Sequence, residues 1–204
     1  MRYSKELSGE NMFNELKKSF ETAANLTNDF IKNEENILQT VNISELIART
    51  FQNGGKILIC GNGGSATDAM HFAEEFTGKF RKNRKALPVI ALTDPSHITC
   101  VGNDFGFEEI FSRGVEAFGK KEDVLIGLST SGNSENIIRA FQKAKEIGMK
   151  TIALLGKDGG KLKGFGDFEF IIPAETSDRV QELHMTILHV IIEGVERILF
   201  PENY

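Results

Sequence analysis

The stretch KILICGNGGSATDAMHFAEEF, from Lys56 to Phe76, decides the fold of this chain. In it, a short apolar run meets a loop of glycine, asparagine and serine, and a helical pattern follows. The same unit occurs again as DVLIGLSTSGNSENIIRAF, from Asp123 to Phe141. Small residues let a ligand approach the backbone, and free N–H groups at a helix start favour an anion such as phosphate. Two such loops in one small domain indicate that the chain holds a phosphorylated small molecule.

Strand and helix patterns alternate around these two units. The strand patterns are nearly continuous in apolar residues, as expected of parallel strands that are covered on both faces. Their alternation with helices predicts an α/β fold, a doubly wound sandwich around a five-stranded parallel sheet. In such sheets ligands bind at the carboxyl ends of the strands, where both loops lie. The predicted strands are Lys56–Cys60, Pro88–Leu92, Val124–Leu128, Thr151–Leu155 and Glu169–Ile172, and the predicted helices are Ser65–Phe76, Phe107–Phe118, Glu135–Ile147 and Arg179–Leu199.

The region before the first strand has the periodicity of an amphipathic helix, with Phe13, Leu16 and Phe20 on one face. Asn42 followed by Glu45 resembles a capping box that restarts a helix there. We therefore expect an N-terminal helical arm over residues 1–54 and a ligand-binding unit over residues 55–204, within one structural domain. The apolar stripe of the arm must be buried, either against a partner subunit or, equally, against its own domain.

The composition is that of an ordinary globular protein, with 40% hydrophobic and 26% charged residues. A formal net charge of -5 offers no basic field for nucleic acid, and the basic run KFRKNRK over residues 79–85 is interpreted as a solvated loop. No stretch approaches the roughly 18 apolar residues of a membrane span. Cys60 and Cys100 do not form a disulfide framework, and no signal peptide is visible. We expect a cytoplasmic protein without nucleic-acid or membrane partners.

The two loops differ in the ligand they favour. The first, Gly61–Ser65, lacks the G-x-G-x-x-G spacing of dinucleotide sites and the Gly-Lys-Ser/Thr of a P-loop. The second, Ser129–Ser134, presents four hydroxyls, which are more than a helix N-cap at Ser134 requires. An anion site is therefore favoured over an ordinary turn.

Two helices carry residues that could bind a metal or move protons. His71 and Glu75, four residues apart, lie on one helix face, where they could share a metal or act on a substrate. From spacing alone, however, a surface ion pair is favoured. The last helix contains Gln181, His184 and His189, although a histidine in so apolar a helix is more often a core residue. Residues 181 and 189 lie roughly 80° apart and ~12 Å along the axis, so their side chains could just converge, or different subunits could supply them.

Several segments together resemble the sugar isomerase (SIS) domain family, in the branch that isomerises heptose phosphates. They are CGNGGSxxDAMHFAEEFTGKF, CVGNDFGFEEIFSR, DVLIGLSTSGNSENII, LLGKDGGK and DRVQELHMTILHVI, in the order of that family and spanning about Gly55 to Ile198. The resemblance implies a flavodoxin-like SIS fold and an aldose–ketose isomerase, which converts sedoheptulose 7-phosphate to D-glycero-D-manno-heptose 7-phosphate on the way to bacterial lipopolysaccharide or capsule. It also implies a homotetramer with active sites between subunits. An alternative is a non-catalytic SIS protein that binds sugar phosphates and associates with the replication initiator.

The resemblance also implies site residues in this chain. Zinc would be held by His71, Glu75, Gln181 and His189, with Glu75 as candidate base and His189 as candidate acid, while His184 stays structural. The resemblance makes His71 and Glu75 a site rather than a simple ion pair. The implied substrate-binding residues are Asn62, Gly63, Gly64, Ser65, Glu75, Asn103, Asp104, Ser129, Thr130, Ser131, Ser134, Asp178 and Gln181.

Overall fold

The computed structural model describes residues 9–204 and consists of one parallel sheet flanked by helices. Two helices precede the sheet, and strands and helices then alternate to the last helix. In chain order the elements are α1 (Gly9–Lys32), α2 (Glu34–Gln52), β1 (Ile57–Gly61), α3 (Gly64–Thr77), β2 (Val89–Ala91), α4 (Pro95–Asp104), α5 (Ile110–Phe118), β3 (Val124–Ser129), α6 (Glu135–Ile147), β4 (Lys150–Gly156), β5 (Phe168–Ile172) and α7 (Ser177–Leu199).

The five strands are all parallel and lie in the order β2-β1-β3-β4-β5. This is the flavodoxin-like form of the doubly wound fold, and it confirms the predicted fold class. The chain leaves β1 for the edge strand β2 and returns to pair β3 on the other side of β1. The switch point therefore lies between β1 and β3, which are the strands that end in the two Gly/Ser loops. Ligands of such sheets bind at this crevice.

The core forms two clusters, one on each face of the sheet, because alternate side chains of each strand point to opposite faces. Ile57 and Ile59 of β1 pack in the cluster that includes α2, α3 and α7. Leu58 and Cys60 pack in the cluster on the other face, with α5 and α6. Burial raises the pKa of the Cys60 thiol well above its usual range. This thiol is therefore a core group, as expected from its place at the end of an apolar strand.

The predicted strands are confirmed to within one residue at each end, and Glu135–Ile147 has the predicted bounds. The predicted helix Phe107–Phe118 is instead a 3₁₀ turn over Phe107–Glu109 followed by α5. Helix α4 was not predicted. It begins at Pro95 because Asp94 caps it, its Oδ1 accepting the N–H of His97 at 2.8 Å.

The predicted restart of a helix at Asn42 is wrong. The break lies earlier, at Asn33, whose Oδ1 accepts the N–H of Glu35 at 3.2 Å and caps α2. Helix α2 then continues through Asn42, because Ile43 and Ile47 are fully buried on the core and hold this stretch in helix. Tertiary packing thus overrides a local capping signal. The first eight residues of the predicted arm lie outside the described residues.

The apolar stripe of the arm was expected to be buried either against its own domain or against a partner subunit, and the two helices of the arm differ in this respect. Helix α2 packs on its own domain through Ile43 and Ile47. The stripe on α1 stays largely exposed, with 77% of Phe20 accessible and Phe13 and Leu16 also exposed. Within residues 9–204, no helix has the length and apolar character needed to cross a membrane.

His184 should make the fold sensitive to acid. It is fully buried in α7, where Nε2 contacts the carbonyl oxygen of Leu155 at 3.1 Å and Nδ1 has no hydrogen-bond partner within residues 9–204. Burial lowers the pKa of His184 to about 4. Since an unfolded histidine titrates near 6.5, the unfolded chain takes up a proton first as the pH falls, and the native state loses about 2–3 kcal/mol by pH 4.5 from this residue.

We therefore expect His184→Gln to lose less unfolding free energy than the unaltered chain between pH 7 and pH 4.5. Denaturant unfolding at one fixed protein concentration at both pH values measures the difference. Carboxylates contribute equally to the acid sensitivity of both proteins. An identical fall in the unfolding free energy of the two would therefore assign the acid sensitivity to groups other than His184.

Candidate active site

The first Gly/Ser loop joins β1 to α3 and has a conformation that needs glycine. Gly63 has φ +55°, in the left-handed region that favours residues without a Cβ. The side-chain amides of Asn62 and Asn136 exchange two hydrogen bonds of 2.9 Å each. Because Asn136 lies in the first turn of α6, this pair joins the first loop to the helix that follows the second loop. Ser65, buried in the first turn of α3, completes the loop.

The second loop joins β3 to α6 and brings two of its four hydroxyls together. The Oγ atoms of Ser129 and Ser134 lie 3.0 Å apart, and Ser131 Oγ accepts the N–H of Asn133 at 3.2 Å. Ser134 stands at the N-cap of α6, yet its side chain makes no capping hydrogen bond. Its hydroxyl instead lies within hydrogen-bond distance of Ser129, inside the same loop. The hydroxyls of Ser129 and Ser134 thus lie together at the N-terminus of α6, an end of a helix that favours anions.

Close packing holds the second loop against its neighbours. Gly132 has φ +63°, and a Cβ there would overlap the carbonyl oxygen of Gly159. Thr130 Oγ1 lies 3.1 Å from Ser177 Oγ at the start of α7, so the loop also contacts the helix that carries Asp178. A hydrogen bond from Thr176 keeps the pKa of Asp178 below its usual range, and Asp178 is therefore a carboxylate at neutral pH.

Helices α3 and α7 bring His71, Glu75 and His189 together. His71 Nε2 lies 3.3 Å from Glu75 Oε1, and the two imidazole rings meet edge to face with centroids 5.0 Å apart. One ligand atom from each of the three residues lies within 4.8 Å of the other two. Burial, together with the nearby His71, lowers the pKa of His189, which favours its neutral form. The His71 side chain is 45% exposed, so the cluster opens to solvent in the single chain.

This cluster fits a divalent metal. Zinc–nitrogen bonds of about 2.0–2.1 Å in tetrahedral geometry separate neighbouring ligand atoms by roughly 3.4 Å. The distance of 3.3 Å between His71 and Glu75 matches that edge. Two imidazoles and a carboxylate are also donors that zinc accepts in its catalytic sites. The group is thus a possible metal-ligand set.

Gln181, the fourth predicted ligand, lies elsewhere in this conformation. Its amide packs against Gly64, where its Oε1 would be 2.5 Å from an added Cβ. Gly64 starts α3 and lies seven residues before His71, which is about 10 Å along the helix axis. The structure therefore brings three of the four predicted ligands together and places Gln181 at the first Gly/Ser loop.

Asn103 and Asp104 were predicted to form a substrate loop, but they belong to the last turn of α4. Asn103 Nδ2 donates to Asp104 Oδ1 at 2.7 Å, and Cys100 Sγ lies 3.6 Å from the other carboxylate oxygen. The prediction missed the helix because its polar start at Asp94 resembles a turn. Both side chains remain exposed at the end of α4.

Asp68 is a further candidate site residue, which the sequence pattern did not single out. It lies on α3 one turn before His71, and its Oδ2 is buried without a hydrogen-bond partner among the described residues. Burial raises the pKa of Asp68 to about 6, against a smaller opposing effect of His71. The signal available in the sequence was its spacing, three residues before His71 and seven before Glu75, which places it on the same face of the helix.

Comparison with known proteins identifies the family. Residues 18–156 match the SIS domain family. The chain is 63% identical to a phosphoheptose isomerase of Fusobacterium nucleatum over 91% of this chain and 96% of that protein, and 55% identical to one of Vibrio cholerae over 86% and 92%.

Solved structures agree with the sequence comparison. A phosphoheptose isomerase from Neisseria gonorrhoeae superposes with a TM-score of 0.83 at 39% identity, covering 90% of this chain and 99% of that one. One from Francisella tularensis gives a TM-score of 0.85 at 34% identity, covering 91% and 98%. Sequence and structure match over nearly the full length of these relatives, and the chain belongs to the phosphoheptose isomerase family of SIS domain proteins.

Proposed function

We propose that this chain is an aldose–ketose isomerase that converts sedoheptulose 7-phosphate to D-glycero-D-manno-heptose 7-phosphate, an early step of bacterial heptose synthesis for lipopolysaccharide or capsule. The observation that carries the proposal is the 63% identity over 96% of a phosphoheptose isomerase. The cluster of His71, Glu75 and His189 beside two anion-favouring loops supports it, because the reaction needs proton carriers near a bound sugar phosphate.

The reaction moves one proton between neighbouring carbons of the sugar. Glu75 removes a proton from C1 of the ketose, while neutral His189 gives its ring N–H proton to the carbonyl oxygen at C2, which leaves an enediol. The C1 hydroxyl then loses its proton to His189, and Glu75 returns its proton to C2, which yields the aldose. Both residues end in their starting protonation states.

The two loops hold the substrate in register with these groups. Hydroxyls of Ser129, Thr130, Ser131 and Ser134, with the free N–H groups of α6, bind the phosphate. Asn62, Gly63, Gly64, Ser65 and Gln181 at the first loop, with Asn103, Asp104 and Asp178, bind the sugar hydroxyls. A fixed phosphate lowers the entropic cost of bringing C1 and C2 to Glu75.

We propose zinc as the cofactor, one ion per subunit, held by His71, Glu75 and His189. Gln181 would complete the set as the fourth ligand once its amide leaves Gly64, against which it packs here. Zinc held by these residues would supply Lewis-acid stabilisation of negative charge that develops on the substrate. The protein residues supply orientation and proton transfer around it.

A turnover assay tests the proposed function. The purified chain should convert sedoheptulose 7-phosphate to the aldose, observed by NMR of the sugar carbons. Ser129→Ala/Ser131→Ala should raise KM about 10- to 100-fold, because each lost hydrogen bond to a charged group is worth roughly 1.5 kcal/mol and neighbouring hydroxyls compensate in part. Thr22→Ala, which removes an exposed hydroxyl on α1, should leave KM unchanged. Binding without turnover would instead favour the non-catalytic sugar-phosphate protein.

We further propose a homotetramer with active sites at subunit interfaces. Apolar side chains are exposed on α1 and also beside the cluster, where Met70 precedes His71 and Val190 follows His189. Such a rim is typical of a surface that a partner covers, and covering it would exclude water from the enediol. Sedimentation at micromolar concentration should show a tetramer. A stable, active monomer of 22.6 kDa would contradict both the interface and the shared site.

We place the protein in the cytoplasm. The exposed Cys100 is a free thiol, as is the buried Cys60, and free thiols persist where the compartment is reducing. Cell fractionation with activity measurement tests this assignment, and activity in a periplasmic fraction would refute it.

A further inference from the structure

Three side chains of the basic segment over residues 79–85 contact α7, whereas Lys79, Lys82, Asn83 and Lys85 are exposed, as expected of a solvated loop. Their three partners on α7 are spaced by four and three residues, so they form one stripe along the helix. The stripe begins at His189. Phe80 stacks on His189 with ring centroids 5.8 Å apart, Arg81 Nη2 lies 2.7 Å from Glu193 Oε2, and Arg84 Nε lies 2.6 Å from Glu196 Oε1.

Arg84 makes the most extensive contacts of this segment. Its side chain is 1% exposed and that of Glu196 is 0% exposed, so the ion pair is fully buried. The same guanidinium also donates to backbone carbonyls at the end of α3, to Glu75 at 2.6 Å and to Phe76 at 2.7 Å. Carbonyls in the last turn of a helix have no partner within the helix. Arg84 supplies that partner for Glu75, shares the Phe76 carbonyl with the N–H of Leu87, and so ties the last turn of α3 to α7.

This arrangement connects the two groups to which we assign proton transfer. Arg84 binds the backbone of Glu75 itself, and Glu196 lies on the same face of α7 as His189, two turns further on. A lysine could not replace Arg84, because the five donors of the planar guanidinium reach a carboxylate and several carbonyls at once. Buried ion pairs are a poor source of stability compared with apolar packing, so the geometry they impose is the more distinctive contribution here.

We propose that Arg84, paired with Glu196, is a positioning residue that fixes the Glu75 turn of α3 against the His189 face of α7. The proposal rests on the proposed function for its effect on turnover. The placement of Glu75 relative to His189, however, can be measured without any substrate.

The test replaces the whole pair. Arg84→Met alone would leave the Glu196 carboxylate buried without a partner, and such a chain can fail to fold. Arg84→Met/Glu196→Leu removes both charges and fills the space with apolar groups, so the chain should stay folded, with its unfolding midpoint lowered only by the lost bonds from Arg84 to backbone carbonyls. We expect kcat to fall about 100-fold, the effect of a roughly 1 Å misplacement of a catalytic group, with KM changed little because the phosphate loop is untouched.

Tyr204→Phe is the matched control. The Tyr204 hydroxyl donates to Glu196 Oε2 at 3.0 Å. This variant therefore removes one hydrogen bond from the Glu196 carboxylate and keeps every bond that Arg84 makes to α3. Its kcat should stay within about two-fold of the unaltered chain, because the placement of Glu75 does not depend on that hydroxyl.

A second measurement does not depend on enzymatic activity. The chain has four histidines, at positions 71, 97, 184 and 189, and their labelled imidazole Cε1 signals can be resolved by NMR. In the double variant we expect the signals of His71 and His189 to shift, and those of His97 and His184 to remain in place. Unshifted His71 and His189 signals, or full kcat in the stable double variant, would overturn the proposal. An inactive unaltered chain would refute the proposed function alone, and the NMR arm would still decide the role of Arg84.

Discussion

Glu75→Gln and His189→Gln should each lower kcat by about 10²–10⁴-fold, which is the contribution of a positioned base or acid. Both replacements are close in shape to the original side chains, so substrate binding and the fold should persist. Neither residue is among the fully buried residues of the core: His189 and Glu75 are both of intermediate burial, and the Glu75 side chain is 16% exposed. The unfolding free energy should therefore change by less than about 1 kcal/mol.

Steady-state kinetics with sedoheptulose 7-phosphate, beside denaturant unfolding of the same samples, measures both quantities. Glu74→Gln is the matched control, since Glu74 is the more exposed neighbour on α3 and lies 3.8 Å from His71. It should retain most of kcat. Substantial activity in Glu75→Gln or His189→Gln would place the proton carrier elsewhere, and Asp68 would be the first residue to examine.

The sheet could be predicted because its strands are buried on both faces. Val124–Ser129 is apolar along nearly its whole length, and such runs are distinctive in a sequence. Helix α4 could not be found in this way, because its ten residues include Ser96, Thr99, Asn103 and Asp104, and only Val101 is buried. A helix with so little buried surface has no strong apolar period.

Part of the candidate site could likewise be predicted from the sequence, and part could not. The resemblance named His71, Glu75 and His189, and the fold brings them within 4.8 Å of one another. The spacing of Gln181 and His189 on α7 indicates how far apart the two residues lie, but it does not fix the side-chain torsions of Gln181. In the structure the Gln181 amide packs on Gly64 and not beside His189. Arg84 was hidden for a different reason. Its charge suggested exposure, and only a carboxylate 112 residues away, at Glu196, makes its burial possible.

Removing metal should reduce kcat by about 100-fold or more without unfolding the chain. A Lewis acid supplies several kcal/mol of transition-state stabilisation, and that contribution disappears with the ion. The fold should persist because α3 and α7 are held by the core through Phe72, Phe76 and Leu188, which do not depend on a metal. A structural zinc, by contrast, supplies folding free energy, and its removal unfolds the domain.

The measurement is chelation followed by add-back of zinc, with elemental analysis, kinetics and circular dichroism on the same samples. The proposed ligands are nitrogen and oxygen donors without thiolates, so the ion should be held less tightly than in a cysteine-rich site and should exchange during dialysis. His71→Gln should abolish recovery on add-back, whereas His97→Gln, outside the cluster, should recover as the unaltered chain does. Full activity of metal-free protein would mean that His71, Glu75 and His189 bind substrate and transfer protons without a metal, and that a metal has no catalytic role.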